Sequence, residues 1–126
     1  MLRKSFLVAA MLMVAPASVQ PPEDSNPAYS PFFHDLVQPP TSKYQPGHGC
    51  CDKSDCRTVD ARLTKSGQWE AFLDRKSFGP DAPDDWVLMP DRQIVRDPPE
   101  GRRPLQAIVC WKRGDIYCFT EPAPGI

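Results

Sequence analysis

The cysteines are the feature that most constrains this chain. Three of the five, Cys50, Cys51 and Cys56, lie within seven consecutive positions, and the other two are Cys110 and Cys118. Five cysteines permit at most two disulfides within one chain, so at least one cysteine stays outside them as a thiol. A bridge between the adjacent Cys50 and Cys51 is disfavoured, because neighbouring residues rarely meet disulfide geometry without strain. We expect two disulfides between the 50–56 loop and the terminal pair, while their connectivity and the leftover thiol stay open.

The first 17 residues have the pattern of a cleaved signal peptide. Arg3 and Lys4 give a basic start, an apolar run follows, and Ala15-Pro16-Ala17 is the small-x-small pattern that signal peptidase accepts. The apolar run is about half the length of the roughly 18 residues that a membrane anchor needs. The sequence therefore predicts an exported chain, periplasmic or secreted, with no transmembrane segment after signal cleavage.

The charge of the chain argues against a nucleic-acid partner. Cleavage removes two of the 15 basic residues and none of the 16 acidic ones, which leaves a net charge of −3. Binding to nucleic acid requires clustered Lys and Arg that neutralise phosphates. The nearest basic cluster is interleaved with acidic residues, so we interpret it as a solvated mixed-charge loop. Its members are Arg92, Arg96, Arg102 and Arg103.

The mature chain is long enough for one small domain. Over 18–46, seven of 29 residues are proline, which removes backbone donors and disfavours helix. We expect a Pro-rich flexible arm over 18–30, a single domain over 31–122 and a tail over 123–126. Within the Pro-rich region, the run from Phe32 to Val37 is apolar enough to form a helical turn whose aromatic side chains dock on the domain. Domains this small have little core, and disulfides formed in an oxidising compartment supply stability.

Alternating hydrophobicity predicts a β-hairpin after the cysteine loop. In 58–63 the odd positions are apolar and the even ones polar, and 68–73 resumes the alternation after the turn residues 64–67. We also expect a short apolar strand at 86–89 and a brief strand or turn at 93–95. The predicted buried face of the hairpin consists of Val59, Ala61, Leu63, Trp69, Ala71 and Leu73.

The terminal segment predicts a second hairpin, with arms at 105–111 and 116–120. Both arms are apolar on both faces, which is typical of central strands or of a closed barrel. Cys110 and Cys118 have the same parity, so a register that pairs residues of equal parity points them to one face. The sum is a mainly β fold, a small antiparallel barrel or roll of about five short strands.

A metal site is the alternative to disulfides in the loop. His48, Cys50, Cys51 and Cys56 are soft or borderline ligands suited to copper(I) or zinc. Structural zinc sites usually repeat closely spaced ligand pairs, whereas the terminal cysteines are separated by seven residues. The spacing and the oxidising compartment favour disulfides, so we expect no cofactor.

A reactive thiol is the third possibility, with Cys50 or Cys51 activated by His48. The chain has two histidines, His34 and His48. Both lie in stretches flanked by Pro or Gly, whereas a general base needs a fixed geometry. We therefore assign no catalytic residue.

Four stretches within 31–121 carry a resemblance. They are Phe32-Phe33-His34-Asp35-Leu36, the loop Cys50-Cys51-x-x-x-Asp55-Cys56, the strand from Trp86 to Pro90, and Val109-Cys110 with Tyr117-Cys118-Phe119. They resemble a group of small exported alphaproteobacterial proteins of uncharacterised activity, which have a Cys-Cys-x-x-x-Asp-Cys loop and a C-terminal Cys and Cys-Phe hairpin. The resemblance implies a Gram-negative periplasm and this cysteine arrangement, and it implies no mechanism.

These observations favour a disulfide-stabilised binding or structural domain that is exported and non-catalytic. Its expected partner is an envelope protein or a small ligand, and its expected alternative is an envelope metal-binding protein. No Gly-rich phosphate loop or catalytic triad is visible in the sequence to indicate a reaction.

Overall fold

The computed structural model describes residues 27–51 and 54–124. The predicted signal peptide at 1–17 and most of the predicted arm lie outside the described residues. The described part of the arm forms a short 3₁₀ turn and the start of a helix. Among the described residues, no helix has the length and apolar character that crossing a bilayer requires.

The described chain forms two short α-helices, two 3₁₀ turns and six strands. In chain order these are a 3₁₀ turn at Pro27–Tyr29, α1 (Ser30–Asp35), β1 (Asp55–Val59), β2 (Ala61–Leu63), β3 (Trp69–Leu73), α2 (Arg75–Phe78), β4 (Asp85–Leu88), a 3₁₀ turn at Asp91–Gln93, β5 (Ala107–Lys112) and β6 (Asp115–Thr120).

The strands form two antiparallel sheets of three strands each. The first has the order β1-β5-β6 and the second the order β2-β3-β4. β5 is the central strand of the first sheet, and its residues from Ala107 to Trp111 are all buried. A central position was predicted for both arms of the terminal hairpin; the prediction is confirmed for β5 and wrong for β6, which is at the edge of the sheet.

β5 separates two clusters of buried side chains. Val109 and Trp111 belong to the larger cluster, which continues onto the second sheet. Ile108 and Cys110 belong to the other cluster, because successive side chains of a strand point to opposite faces. The second cluster contains all five cysteines. The first sheet therefore has an aliphatic and aromatic face and a cysteine face.

The helix α1 packs on the cysteine face. Pro31 lies in its first turn, where the missing N–H of proline costs nothing. Phe32 and Phe33 are 2% and 1% exposed, and both belong to the cysteine cluster together with Leu36. The predicted docking of an aromatic helical turn is confirmed.

The structure corrects the expectation of a barrel of about five strands. The described residues form six strands, which make up two separate sheets. The outer edge of β6 is covered by another segment of the chain. Val95 N–H donates to the Phe119 carbonyl over 2.8 Å, so the segment after β4 covers β6. Pro90 follows β4 and has no N–H to offer a neighbouring strand.

The single strand expected at 58–63 is wrong, because the chain changes sheets at Asp60. Val59 ends β1 and Ala61 begins β2, while the Asp60 carbonyl accepts a hydrogen bond from the Phe72 N–H over 2.9 Å. Val59 is buried as predicted. Leu63 is 57% exposed, because β2 is a three-residue edge strand. The hairpin of β2 and β3 is confirmed.

Candidate functional site

Both disulfides join the 50–56 loop to the terminal hairpin. Cys50 is bonded to Cys118 and Cys56 to Cys110, with Cα separations of 5.9 Å and 4.0 Å. Cys56 in β1 lies directly opposite Cys110 in β5, which in turn lies opposite Cys118 in β6. The predicted disulfide-stabilised fold is confirmed, and the structure supplies the connectivity that the sequence left open.

The fifth cysteine, Cys51, lies outside both disulfides but inside the same cluster. Its Sγ is 2.6 Å from Cys56 Sγ and 3.8 Å from the carbonyl oxygen of Phe33. Cys51 is 8% exposed, whereas the other four cysteines are 0% exposed. The sulfur of Cys56 therefore has two sulfur neighbours, its disulfide partner and the Cys51 thiol.

The structure does not bring the four considered metal ligands together. Among the described residues, the group of possible ligands whose atoms lie within 4.8 Å of one another is Cys51, Cys56 and Cys110. It includes neither His48, whose side chain is exposed, nor Cys50, which is in the other disulfide. Two of the three grouped sulfurs are bonded to each other, so this group could ligate a metal as thiolates only after reduction.

The thiol-enzyme interpretation loses one of its two candidate nucleophiles. Cys50 is in a disulfide, and the thiolate is the form of cysteine that attacks. Of the two candidate bases, His34 is exposed with its Nδ1 3.1 Å from Asp35 Oδ1, and His48 is exposed. The remaining candidate nucleophile is Cys51, whose sulfur contacts a disulfide.

A buried polar network holds the segment 38–47 against the first sheet. The Gln93 side chain donates from Nε2 to Ser42 Oγ (3.0 Å) and to the Tyr117 carbonyl (2.7 Å). Its Oε1 accepts from the Lys43 N–H (2.9 Å), and Ser42 Oγ donates to Gln38 Oε1 (2.7 Å). Tyr117 is the extra residue of a β-bulge in β6, and a bulge leaves its extra residue outside the regular ladder. Gln93 thus donates a hydrogen bond to the Tyr117 carbonyl, which lies outside the regular ladder of the sheet.

An apolar groove lies between the segments 37–41 and 94–97, with a volume of about 480 Å³. Val37, Pro39 and Pro40 line one side, and Ile94 and Val95 line the other. Val37 is 42% exposed. The groove is therefore an apolar surface that is open to solvent, and Gln38 of the polar network is among its lining residues.

A polar pocket of about 330 Å³ adjoins the groove and shares Val95 and Arg96 with it. Arg103, Thr120 and Glu121 also line this pocket. Arg103 Nε and Thr120 Oγ1 are buried and have no hydrogen-bond partner in the part of the chain that the structure describes. The two residues that carry these unpartnered groups therefore both line one pocket.

The Arg103 guanidinium is partly desolvated. It lies over the Phe32 ring at 5.5 Å from the centroid, and it donates to the Glu121 carbonyl. Burial lowers the pKa of Arg103, and the Glu121 carboxylate acts in the opposite direction. The interpretation of 92–103 as a solvated loop is therefore wrong for Arg103, which is half-buried, and right for the exposed Arg92, Arg96 and Arg102.

Sequence reasoning missed both the groove and the polar pocket. The segments that form the groove are distant in the chain, and the Thr41 hydroxyl joins them by donating to the Arg92 carbonyl (2.8 Å), 51 positions away. No local pattern predicts such a pairing. The apolar Val37 beside Pro39 and Pro40 was the one signal available, and Val37 was interpreted as the end of the docked helical turn.

In comparisons with known proteins, no family model, curated protein or solved structure matches the chain. A functional assignment must therefore come from the geometry described above.

Proposed function

We propose that this chain is an exported, non-catalytic binding domain whose ligand is a small organic acid with an apolar body. The observation that carries the proposal is that an apolar groove and a polar pocket share two lining residues, Val95 and Arg96. A ligand that spans both would place apolar carbon atoms in the groove and its carboxylate beside Arg103 and Thr120.

The size of the groove supports a small molecule as the occupant. Small-molecule sites are concave, mostly apolar and roughly 300–1,000 Å³ in volume, with a few polar groups that fix the orientation of the ligand. The groove, at about 480 Å³, lies within that range. An envelope protein as partner is the alternative outcome of the experiment below.

The charges that line the polar pocket support an acidic group on the ligand. The charged lining residues are Arg96, Arg103 and Glu121, and Arg96 Nη2 is already paired with Asp91 Oδ1 at 2.7 Å, so Arg103 is the cation left for a ligand. The Glu121 carboxylate already accepts a hydrogen bond from Trp69 Nε1 over 3.2 Å. A buried donor without a partner costs about 1–3 kcal/mol, and a ligand carboxylate would supply a charge-assisted acceptor to Arg103 Nε.

Isothermal titration calorimetry with octanoate and with octanol tests the proposal. The two probes have the same apolar body, so a carboxylate-specific site binds octanoate more tightly. A hydrogen bond to a charged group is worth about 1.5–3 kcal/mol. Arg103→Gln should therefore weaken the binding of octanoate at least about tenfold. Thr120→Val should weaken octanoate binding by a smaller factor, and neither variant should change the affinity for octanol.

Arg62→Gln is the matched control for the arginine variant. Arg62 also lies over an aromatic ring, 3.9 Å from the Trp86 centroid, but on the second sheet. Its replacement should leave octanoate binding unchanged. Equal affinities for octanoate and octanol would contradict an acid-specific site. No saturable binding of either probe would contradict a small ligand altogether and would direct the search to an envelope protein.

Export is the second part of the proposal. Two disulfides, which persist in oxidising compartments, support it. The predicted cleavage after Ala17 and the resemblance to exported alphaproteobacterial proteins agree with it. The expected result is that protein recovered from the periplasm of a Gram-negative host begins at Ser18, and recovery of an uncleaved chain from the cytoplasm would contradict export.

Metal binding is a second candidate function, favoured by one observation. The sulfurs of Cys51, Cys56 and Cys110 lie within 4.8 Å of one another, and three thiolates suit copper(I). This function requires the Cys56–Cys110 disulfide to be reduced. A reduced chain that binds copper(I) stoichiometrically, and that loses the binding in Cys51→Ser, would support this candidate over a purely structural role for the disulfide.

A further inference from the structure

The sulfur of Cys56 lies in contact with two other sulfurs, and only one of these contacts is its disulfide. Cys110 is its bonded partner, and Cys51 Sγ is 2.6 Å away. A disulfide exchanges when a thiolate attacks one of its sulfurs. The Cys51 sulfur already occupies a position beside the sulfur that it would attack.

The surroundings of the three sulfurs favour an attack by Cys51 rather than by an outside thiol. Cys56 and Cys110 are 0% exposed, and Cys51 is 8% exposed. An outside thiol therefore has little access to the disulfide, while Cys51 needs no movement of the fold to reach it. Cys51 is also the residue of this group that has some solvent exposure, and the proton of its thiol must leave before it reacts.

We propose that Cys51, Cys56 and Cys110 form a thiol–disulfide exchange site in which Cys51 is the nucleophile. The Cys51 thiolate attacks Cys56 Sγ, the Cys51–Cys56 bond forms, and the Cys56–Cys110 bond breaks. Cys110 leaves as a thiolate and takes up the proton that Cys51 released to solvent. One disulfide and one thiol are present before and after, so the step needs no oxidant or reductant.

The exchange changes which parts of the chain are covalently joined. The Cys56–Cys110 bond connects residues 54 positions apart and links β1 to β5. A Cys51–Cys56 bond connects residues five positions apart and leaves no covalent link between β1 and β5, which stay joined by hydrogen bonds and side-chain packing. The Cys50–Cys118 bond is common to both states and keeps the loop attached to β6.

Thiol counting in cysteine variants tests whether Cys51 reaches Cys56. The full chain is purified from the periplasm without reductant, unfolded and alkylated, and the monomer is weighed. Cys110→Ser should contain no alkylatable thiol, because Cys51 bonds to Cys56 in place of Cys110. The matched control, Cys51→Ser with Cys110→Ser, should contain one thiol, at Cys56. Two thiols in Cys110→Ser would overturn the proposal.

Peptide mapping of the unmodified chain tests the exchange itself and does not depend on how the variants fold. The protein is held at mildly alkaline pH, quenched in acid to protonate thiolates and stop exchange, and then unfolded and alkylated with a maleimide. The alkyl group should be found on Cys51 in some molecules and on Cys110 in others, with one label per chain. Labelling of Cys51 alone after prolonged incubation would overturn the proposal.

Discussion

At the scale of single residues, Gln93 shows how one side chain positions the functional region. It is 1% exposed, and its amide connects the segment 38–47, which lines the groove, to the bulge in β6. Most side-chain hydrogen bonds in proteins are made to backbone or water. The Gln93 amide bonds to two backbone groups and also to the Ser42 hydroxyl, so its removal affects three partners.

Gln93→Met should lower the free energy of unfolding by about 2–4 kcal/mol. Methionine has a similar shape but leaves the Lys43 N–H and the Tyr117 carbonyl without a partner, and an unsatisfied buried group costs about 1–3 kcal/mol. Urea unfolding measures the loss. Gln68→Met is the control, because Gln68 is exposed and its replacement should change stability by less than about 0.5 kcal/mol. Similar losses in the two variants would contradict the role of the network.

Tyr44 gives a pH-dependent prediction. Its hydroxyl donates to Asp115 Oδ1 over 2.9 Å. Burial, followed by the Asp115 hydrogen bond, raises the pKa of Tyr44 from 10.0 to about 12. Between these values the unfolded chain binds fewer protons than the folded one, so the free energy of unfolding falls as pH rises. This contribution is complete below pH 10 and is lost as pH rises through about 12.

Tyr44→Phe should therefore show a shallower loss of stability over this alkaline range. Urea unfolding at several pH values measures it, and both chains carry Cys51→Ser so that alkaline thiol exchange does not interfere. Parallel pH dependences in the two chains would contradict the assignment of the raised pKa to Tyr44.

At the scale of elements, α1 shows what the sequence could predict and β1 shows what it could not. Phe32 and Phe33 predict a docked turn, because burying a pair of aromatic side chains is strongly favourable. The alternation across 58–63 correctly predicts extended chain, but the prediction of a single strand in one sheet is wrong. Asp60 continues the alternation in sequence, yet the chain changes sheets there. A period-two pattern indicates which side chains of a strand are buried. It does not indicate the sheet to which the strand belongs, because strands of either sheet bury one face.

Phe33→Ala should lower the free energy of unfolding by about 3–5 kcal/mol, the cost of removing a buried phenylalanine ring and leaving a cavity. Phe33 is 1% exposed, and its carbonyl oxygen lies 3.8 Å from Cys51 Sγ. Leu105→Ala is the control, because Leu105 is 73% exposed. Urea unfolding compares the two. A loss under about 1 kcal/mol for Phe33→Ala would show that α1 is not docked in solution.

At the scale of the whole molecule, the two disulfides carry a large share of the stability. Their sequence separations are 68 and 54, and the chain-entropy relation assigns about 4 kcal/mol to each. Domains typically unfold at a cost of about 5–15 kcal/mol. The sequence predicted that the 50–56 loop would be linked to the terminal pair, because long rings stabilise more. Which thiol stands outside the bridges depends on strand register, and the sequence alone did not give it.

Replacing either disulfide with a pair of serines should cost about 4 kcal/mol, with little difference between the pairs because the rings are similar in size. The variants are Cys50→Ser with Cys118→Ser, and Cys56→Ser with Cys110→Ser. Urea unfolding at neutral pH measures both. A loss under about 1 kcal/mol for either pair would contradict the view that both bridges hold the domain together.

The groove and the polar pocket depend on the whole fold, because they form where segments that are distant in the sequence meet. An NMR titration of the full chain with octanoate tests the proposed function most directly. The account predicts saturable shifts of backbone signals at 37–41, 94–97, Arg103 and Thr120, with little change in the second sheet. Saturable shifts confined to the second sheet, or no shifts at all, would contradict the proposed binding site.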